Sequence, residues 1–324
     1  FPVGIRYLAS IRITADDAAA NNAVLKKAGR TPQSITLAGA YSSVDRYEAW
    51  HVDQAASGYE VRLQTGIGAL LRLGFPTLPV DKQNDLLKQL FPKGRALRLL
   101  NADTGTFQFS IIASAAMNNG EAYISLEGNP TLTIADQQRC GLRGTTLVNV
   151  VNFIRYSLRT VKGDTANFAN YQQLFLTGAQ PYEENRLELV REELDAFGNV
   201  IVETQEVVAE YAVDLQFALT TVVNPAVNPA FTHLGFENPA LAQNLAGQTD
   251  AAGSNPQHIR SVRARLSLRS REVDRQENIL PGVNVAPGLY RIELEDTTLK
   301  TKGFARVRTL QSDIVVPAHM ELRW

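Results

Sequence analysis

Apolar and polar residues alternate with a period of two over much of the chain. Tyr211, Val213, Leu215, Phe217 and Leu219 fall on every second position, with Asp214, Gln216 and Thr220 between them. That period puts one row of side chains on one face of a half-buried strand. Upstream, two extended runs flank Asp195-Ala196-Phe197-Gly198-Asn199. A glycine beside an asparagine supplies the positive φ a reversing chain requires, so a β-hairpin is predicted there, followed by a short amphipathic bend around Glu206 to Glu210. Downstream, Val262, Ala264, Leu266 and Leu268 alternate with Arg263, Arg265, Ser267 and Arg269, a second long strand with a basic outer face. From Gly303 to Pro317 the alternation runs through Ala305, Val307 and Thr309, then slips by one so that Leu310, Ser312, Ile314 and Val316 share a face. One extra residue of that kind predicts a bulge or strand bend.

The same rhythm predicts strands at Ser34 to Ala40 and around Tyr59 to Leu63. Arg95 to Leu100, Thr106 to Ala113, Ala122 to Glu127 and Thr131 to Ile134 follow, separated by Gly- and Asn-bearing turns, as in an antiparallel meander. Thr146 to Val161 is rich in Val, Phe, Ile and Tyr and reads as strand. Gly66 to Gly74, short and apolar, reads as another. Between Pro79 and Pro92, Val80, Leu86, Leu87, Leu90 and Phe91 recur at helical spacing, predicting a short amphipathic helix that packs on the core. Tyr7 to Lys27 reads either as a helix started by Asp16 and Asp17 and ended by Lys26 and Lys27, or as a loop with one or two helical turns. In the stretch 224–256, Asn224, Asn228, Asn238 and Asn255 each precede a proline, which disfavours a continuous helix and marks an Asn/Pro-rich surface insertion, either a contact loop or a tolerated one. The pattern as a whole predicts an α+β, mainly antiparallel β chain in a single globular domain, 1–324.

Composition narrows the classes open to it. A chain of 324 residues buries most of its apolar surface without staples. The single cysteine, Cys140, excludes an internal disulfide and a multi-cysteine metal site and reads as a small buried hydrophobe. A formal charge of −1 gives no global attraction to nucleic acid or anionic lipid. No apolar run approaches the ~18 residues that span a bilayer, and FPVGIRYLAS lacks the basic flank and long apolar core of a signal peptide.

Candidate chemistry is sparse. His51, His233, His258 and His319 show no metal-ligand spacing, and the shared strand face of His51 and Asp53 lacks a third ligand. Asn101, Asp103 and Gly105 look like a fragment of a calcium loop, yet Gly105 stands at a ligand position and Ile112 at the closing acid. Gly66-Ile-Gly68 has no third glycine, no GxSxG surrounds a serine, and no P-loop lysine follows a glycine-rich turn. The residues therefore predict no catalytic, cofactor-binding or metal site and no enzyme. Arg260, Arg263, Arg265, Arg269 and Arg271 either bind phosphates or an acidic partner, or pair across the sheet with Glu188, Glu192, Glu203 and Glu210; the near-zero net charge favours pairing.

Three segments carry a resemblance: LVREELDAFGNVIVETQEVVAEYAVDLQF, IRSVRARLSLRSRE and GFARVRTLQSDIVVP. Together they resemble the C-terminal half of minor pilins of the PilW kind, relatives of the J-type pseudopilins of type II secretion. The residues that carry it are Val208, Glu210, Tyr211, Val213, Asp214, Leu215 and Phe217, with a fainter echo in Ser34 to Ala49. The resemblance spans roughly 145–316. It implies a pilin or pseudopilin-like head with two β-sheets and short helices, and a non-enzymatic structural or priming role at a type IV pilus tip. It also implies other minor pilins, the major pilin and a tip adhesin as partners, without nucleic acid or cofactor. The protein would be held in the inner membrane with a periplasmic head and then become extracellular in the pilus. A pilin opens on phenylalanine with glutamate four residues on, leading an apolar helix. The fifth residue here is Ile5, so the implied reading is a head whose membrane-anchoring helix is absent from this chain. The alternatives are a J-type pseudopilin and an extracellular β-rich module binding surfaces or glycans.

Overall fold

Strands with one apolar face dominate because β-branched and aromatic residues recur at period two. The computed structural model describes residues 10–43, 45–55, 58–103, 105, 107–128, 146–175, 182–183, 185–223, 230–237, 239–246, 258–274, 291–296 and 301–316. In chain order these contain β1 (Ile11–Ala15), α1 (Asp17–Ala20), α2 (Ala23–Lys27), β2 (Gln33–Gly39), β3 (Tyr47–Ala55), β4 (Gly58–Leu63), α3 (Gly68–Arg72), α4 (Val80–Leu90), β5 (Ala96–Asn101), β6 (Phe107–Asn118), β7 (Glu121–Glu127) and β8 (Thr146–Arg159). They continue with β9 (Glu188–Leu194), β10 (Val200–Ala209), β11 (Ala212–Val223), β12 (Ala230–Leu234), α5 (Pro239–Leu245), β13 (Ile259–Arg269), β14 (Arg291–Asp296) and β15 (Thr301–Val315). The architecture is mainly antiparallel β, with two sheets and short helices. The strand expected at Thr131 to Ile134 lies outside the described residues.

The chain divides into two compact units, of which the first takes Ala38–Phe153 and Leu194–Val200. Its strands run in the order β8, β3, β4, β7, β6, β5, and β5 pairs again with β8, so the meander closes into a six-stranded antiparallel barrel. Closure removes the free edges a short open sheet would leave. Tyr47, Ala49, Val61, Leu97, Leu99, Ile112, Ile124 and Val148 belong to its core. α4 contributes Leu87, followed by Phe91, both fully buried. The helix falls between Pro79 and Pro92 as its spacing predicts, but Val80 faces solvent. The buried polar position is Gln83, whose Nε2 donates to the Phe75 carbonyl at 3.0 Å.

Gly66 to Gly74 is helical rather than extended, since α3 occupies Gly68–Arg72. Ala and Leu are strong helix formers and the segment holds no β-branched run; Gly74, at φ 70, ends it. The calcium-like fragment is the β5–β6 turn: Asn101 Oδ1 accepts the Asp103 N–H at 2.9 Å, and Gly105 N donates to the Asn101 carbonyl at 2.9 Å. At the β9–β10 turn the predicted hairpin forms. Asp195 Oδ1 accepts N–H groups of Phe197 and Asn199, each at 2.8 Å, and Gly198 holds φ 89.

The second unit takes Ala9–Leu37, Ile154–Glu193 and Ile201–Trp324. Its main sheet runs β12, β11, β13, β15, β14. β15 carries no bulge against β13: their register is continuous from Ser261↔Val315 to Arg269↔Val307. Leu310 and Ile314 stand opposite Leu266 and Val262 with 62% and 54% of their surface exposed, an apolar row at the sheet margin that mimics a change of face. The register shifts lie instead in β11, between Ala212 and Asp214 and between Thr220 and Thr221. β11 is also buried on both sides, since Asp214, Gln216 and Ala218 are as hidden as Val213, Leu215 and Phe217. The bend expected over Glu206 to Glu210 narrows to Glu210 and Tyr211, because β10 stays extended through Ala209.

Near the start, β1 precedes the helical turns and pairs with β2. Asn22 then breaks the helix into α1 and α2, its Oδ1 accepting the Val24 and Leu25 N–H groups at 3.1 and 3.3 Å. Within 224–256, β12 lies at the sheet edge and α5 buries Ala242 in the core of this unit. Gln33, fully buried, accepts the Phe217 N–H at 2.8 Å and donates to the Pro239 carbonyl at 3.2 Å.

Candidate functional site

Charge in the second unit is concentrated where β9 begins, where β10 turns into β11, and where β13 ends. Tyr211 makes the turn at φ 57, a conformation a bulky side chain rarely adopts. Two backbone bonds pin it: Ala212 N to the Leu187 carbonyl at 2.8 Å and Arg269 N to the Tyr211 carbonyl at 2.9 Å. The turn lays the Tyr211 ring 3.9 Å from the Arg186 guanidinium, and the Phe175 ring lies 4.7 Å from the same cation.

Arg186, 4% exposed, spends its donors on three carboxylates and a phenol. Nε pairs with Glu188, Nη1 donates to Glu183 at 3.1 Å and to the Tyr211 hydroxyl at 3.0 Å, and Nη2 donates to Glu210 at 2.8 Å. The Tyr211 hydroxyl in turn donates to Glu183 at 3.0 Å. Arg269 sits 4.8 Å from the Tyr211 ring and donates to the carbonyls of Tyr182, Ser270 and Arg271; Arg271 lies 3.7 Å from Glu183. Three cations therefore balance three carboxylates.

Burial and the bond to Glu183 push the Tyr211 hydroxyl up to about 12. Burial raises Glu188 despite Arg186 beside it. Burial pulls Arg186 down, but Glu188 and Glu183 hold it above its ordinary value. Burial lowers Arg269, against the pull of Glu183.

Two smaller knots repeat the design. Arg265 stacks 4.6 Å from the Phe236 ring, meets Asp214 Oδ2 at 3.3 Å and donates to Gln216; burial raises Asp214 although Arg265 opposes it. Glu192, 1% exposed, takes Arg155 at 2.6 Å, Arg159 at 3.2 Å, Ser157 at 3.4 Å and Gln205 at 3.1 Å. Burial works against its charge, but the two arginines outweigh it and hold Glu192 below the usual carboxylate range.

The sequence pointed to the right residue types but the wrong pairs. Among the described residues no arginine of β13 forms an ion pair with Glu188, Glu192 or Glu210, although Arg269 feels the charge of Glu188. Those acids take Arg186, Arg155 and Arg159, whereas Arg263 and Arg265 pair with Asp313 and Asp214 on their own neighbours β15 and β11. Sequence reasoning passed over Arg186; its place two residues before a glutamate in a strand-forming run was the available signal. His233 Nδ1 shares a hydrogen bond with Thr220 Oγ1 at 3.0 Å. The side chains of His51 and Asp53, together with Cys140 and His319, lie outside the described residues. Among the described residues no group of three or more His, Cys, Asp or Glu is placed to hold a metal ion, and no helix is long and apolar enough to cross a membrane.

No family model, no curated protein and no solved structure matches the chain.

Proposed function

We propose that this chain is the head of a minor pilin of the PilW kind, a non-enzymatic subunit that primes assembly or sits at the tip of a type IV pilus. One observation carries the reading. The three segments that resemble the family are separate in the chain, yet the last strand of the first, β11, lies beside β13 and next to it β15 in one sheet, while β9 and β10 belong to the other. Glu210, Tyr211 and Asp214 of the family pattern serve as partners of Arg186 and Arg265 there. A pattern spent on holding a sheet together suits a structural subunit. Other pilins are the proposed partners, with attachment to the inner membrane through a pilin helix before incorporation into the pilus.

The reading frame upstream of the Phe1 codon tests this. A short basic leader ending in Gly or Ala, then Phe with Glu four residues on and about 20 apolar residues, is the expected result. A cleavable secretory signal directly before the head would remove the pilin reading and favour an extracellular binding module. Deleting the gene then separates pilus from secretion system, since the first loses surface filaments and the second loses exported protein.

A further inference from the structure

The outer face of the barrel carries a row of side chains unlike the balanced knots of the second unit. β5 sets Arg98 opposite Phe109 of β6 on one side and Asn149 of β8 on the other. Continuing the Tyr47↔Val148 register by one residue sets Arg46 opposite Asn149. Directly opposed residues share a face, so Arg46, Asn149, Arg98 and Phe109 form one line across four strands. Tyr47, Leu97 and Val148, their neighbours in sequence, point inward to the core.

Neither arginine meets a carboxylate among the described residues, and Arg98 Nε is buried without a hydrogen-bond partner there. Its guanidinium lies 4.9 Å from the Phe107 ring, which is 54% exposed and packs edge-on to Phe109 at 5.6 Å. Burial, and then the charge of Arg46, hold Arg98 below its ordinary value. A half-buried cation beside a second cation, with no carboxylate partner among the described residues, costs stability that the Phe107 ring offsets only in part.

We propose that this row is a docking site for the carboxylates of an acidic polypeptide segment. Guanidinium groups bind carboxylates bidentately, and phenylalanine and arginine are both enriched in protein interfaces. A nucleic-acid backbone fits less well, because binding to phosphates draws on many cations. Here the row offers two arginines, Arg46 and Arg98.

A fluorescein-labelled hexaglutamate peptide, titrated at low salt and followed by anisotropy, is the probe. Saturable binding is expected, weakened about tenfold or more by Arg46→Gln or Arg98→Met and left unchanged by Arg308→Gln, which removes an exposed arginine of β15. Arg98→Met is also expected to keep or raise Tm, since it replaces an unpaired cation by an apolar side chain of similar length. Absence of saturable binding, an equal loss in Arg308→Gln, or a fall in Tm with Arg98→Met would each overturn the proposal. Tighter binding of a six-nucleotide oligothymidylate than of hexaglutamate would replace it with a phosphate-backbone site.

Discussion

Arg186 shows how one side chain sets the cost of losing another. Glu183 and Glu188 are 6% and 0% exposed, and this guanidinium stands between them. Arg186→Leu would strand both carboxylates, and a loss of about 3–5 kcal/mol is expected by urea denaturation. Tyr211→Phe removes only the hydroxyl shared by Arg186 and Glu183, for about 1–3 kcal/mol.

Glu192 adds a pH signature. Its folded pKa lies below the ordinary value of 4.5, so its stabilisation is present above 4.5 and is lost as pH falls through the folded value. The gap in stability between the protein and Glu192→Gln should therefore shrink on acidification below 4.5 in denaturant melts; a constant gap would show that the arginines do not act through charge. Glu188 and Asp214 run the other way, since burial raises them and their contribution fades as pH rises through those raised values. Composition told that acids and bases pair; which ones pair depends on strand neighbours, and residue types carry no record of those.

For single elements, period and turn chemistry were legible wherever they acted locally. The Asp195 to Asn199 turn holds itself through its own side chains, and β8 follows from its β-branched content. α3 was misread because Gly68, Ala69, Leu70 and Leu71, four apolar and small residues, fit either element, and the glycine at φ 70 that ends it belongs to backbone geometry. In β15 the exposed Leu310 and Ile314 imitated a shifted face although the strand is regular.

β15 also carries a tight contact. Gly303 lies opposite Leu294, and a Cβ there would stand 2.2 Å from Val273 Cγ1. Valine has little freedom to withdraw, so Gly303→Ala should cost about 1–3 kcal/mol of overpacking and speed amide exchange in β14. Unchanged exchange would mean that Val273 moves aside.

On the scale of the molecule, closure of the barrel was not readable from the sequence. Alternation says that β3, β5 and β8 are strands, but the pairing of Tyr47 with Val148 spans too much chain for any local signal. The two units are also nested. The second opens at Ala9, gives way to the first at Ala38, and is not complete until its final strand. Pairings of such long sequence separation fold slowly. Chains arrested with Thr146 still inside the ribosome should leave β3 and β5 amides unprotected in pulsed hydrogen exchange, while chains extended past Val200 should protect them. Early protection would mean that the barrel strands pair without β8.

This nesting bears on how the cell distinguishes finished protein from fragments. Ile13 donates its N–H to the Ala246 carbonyl at 3.1 Å, and Lys27 reaches Glu293 at 2.7 Å. Segments near the start of this unit thus take some of their partners from near its end, in addition to the pairing that β2 gives β1. A product cut short before Ala246 would keep β1 paired with β2 but lose the contacts to Ala246 and Glu293, leaving this part of the unit more open to proteases.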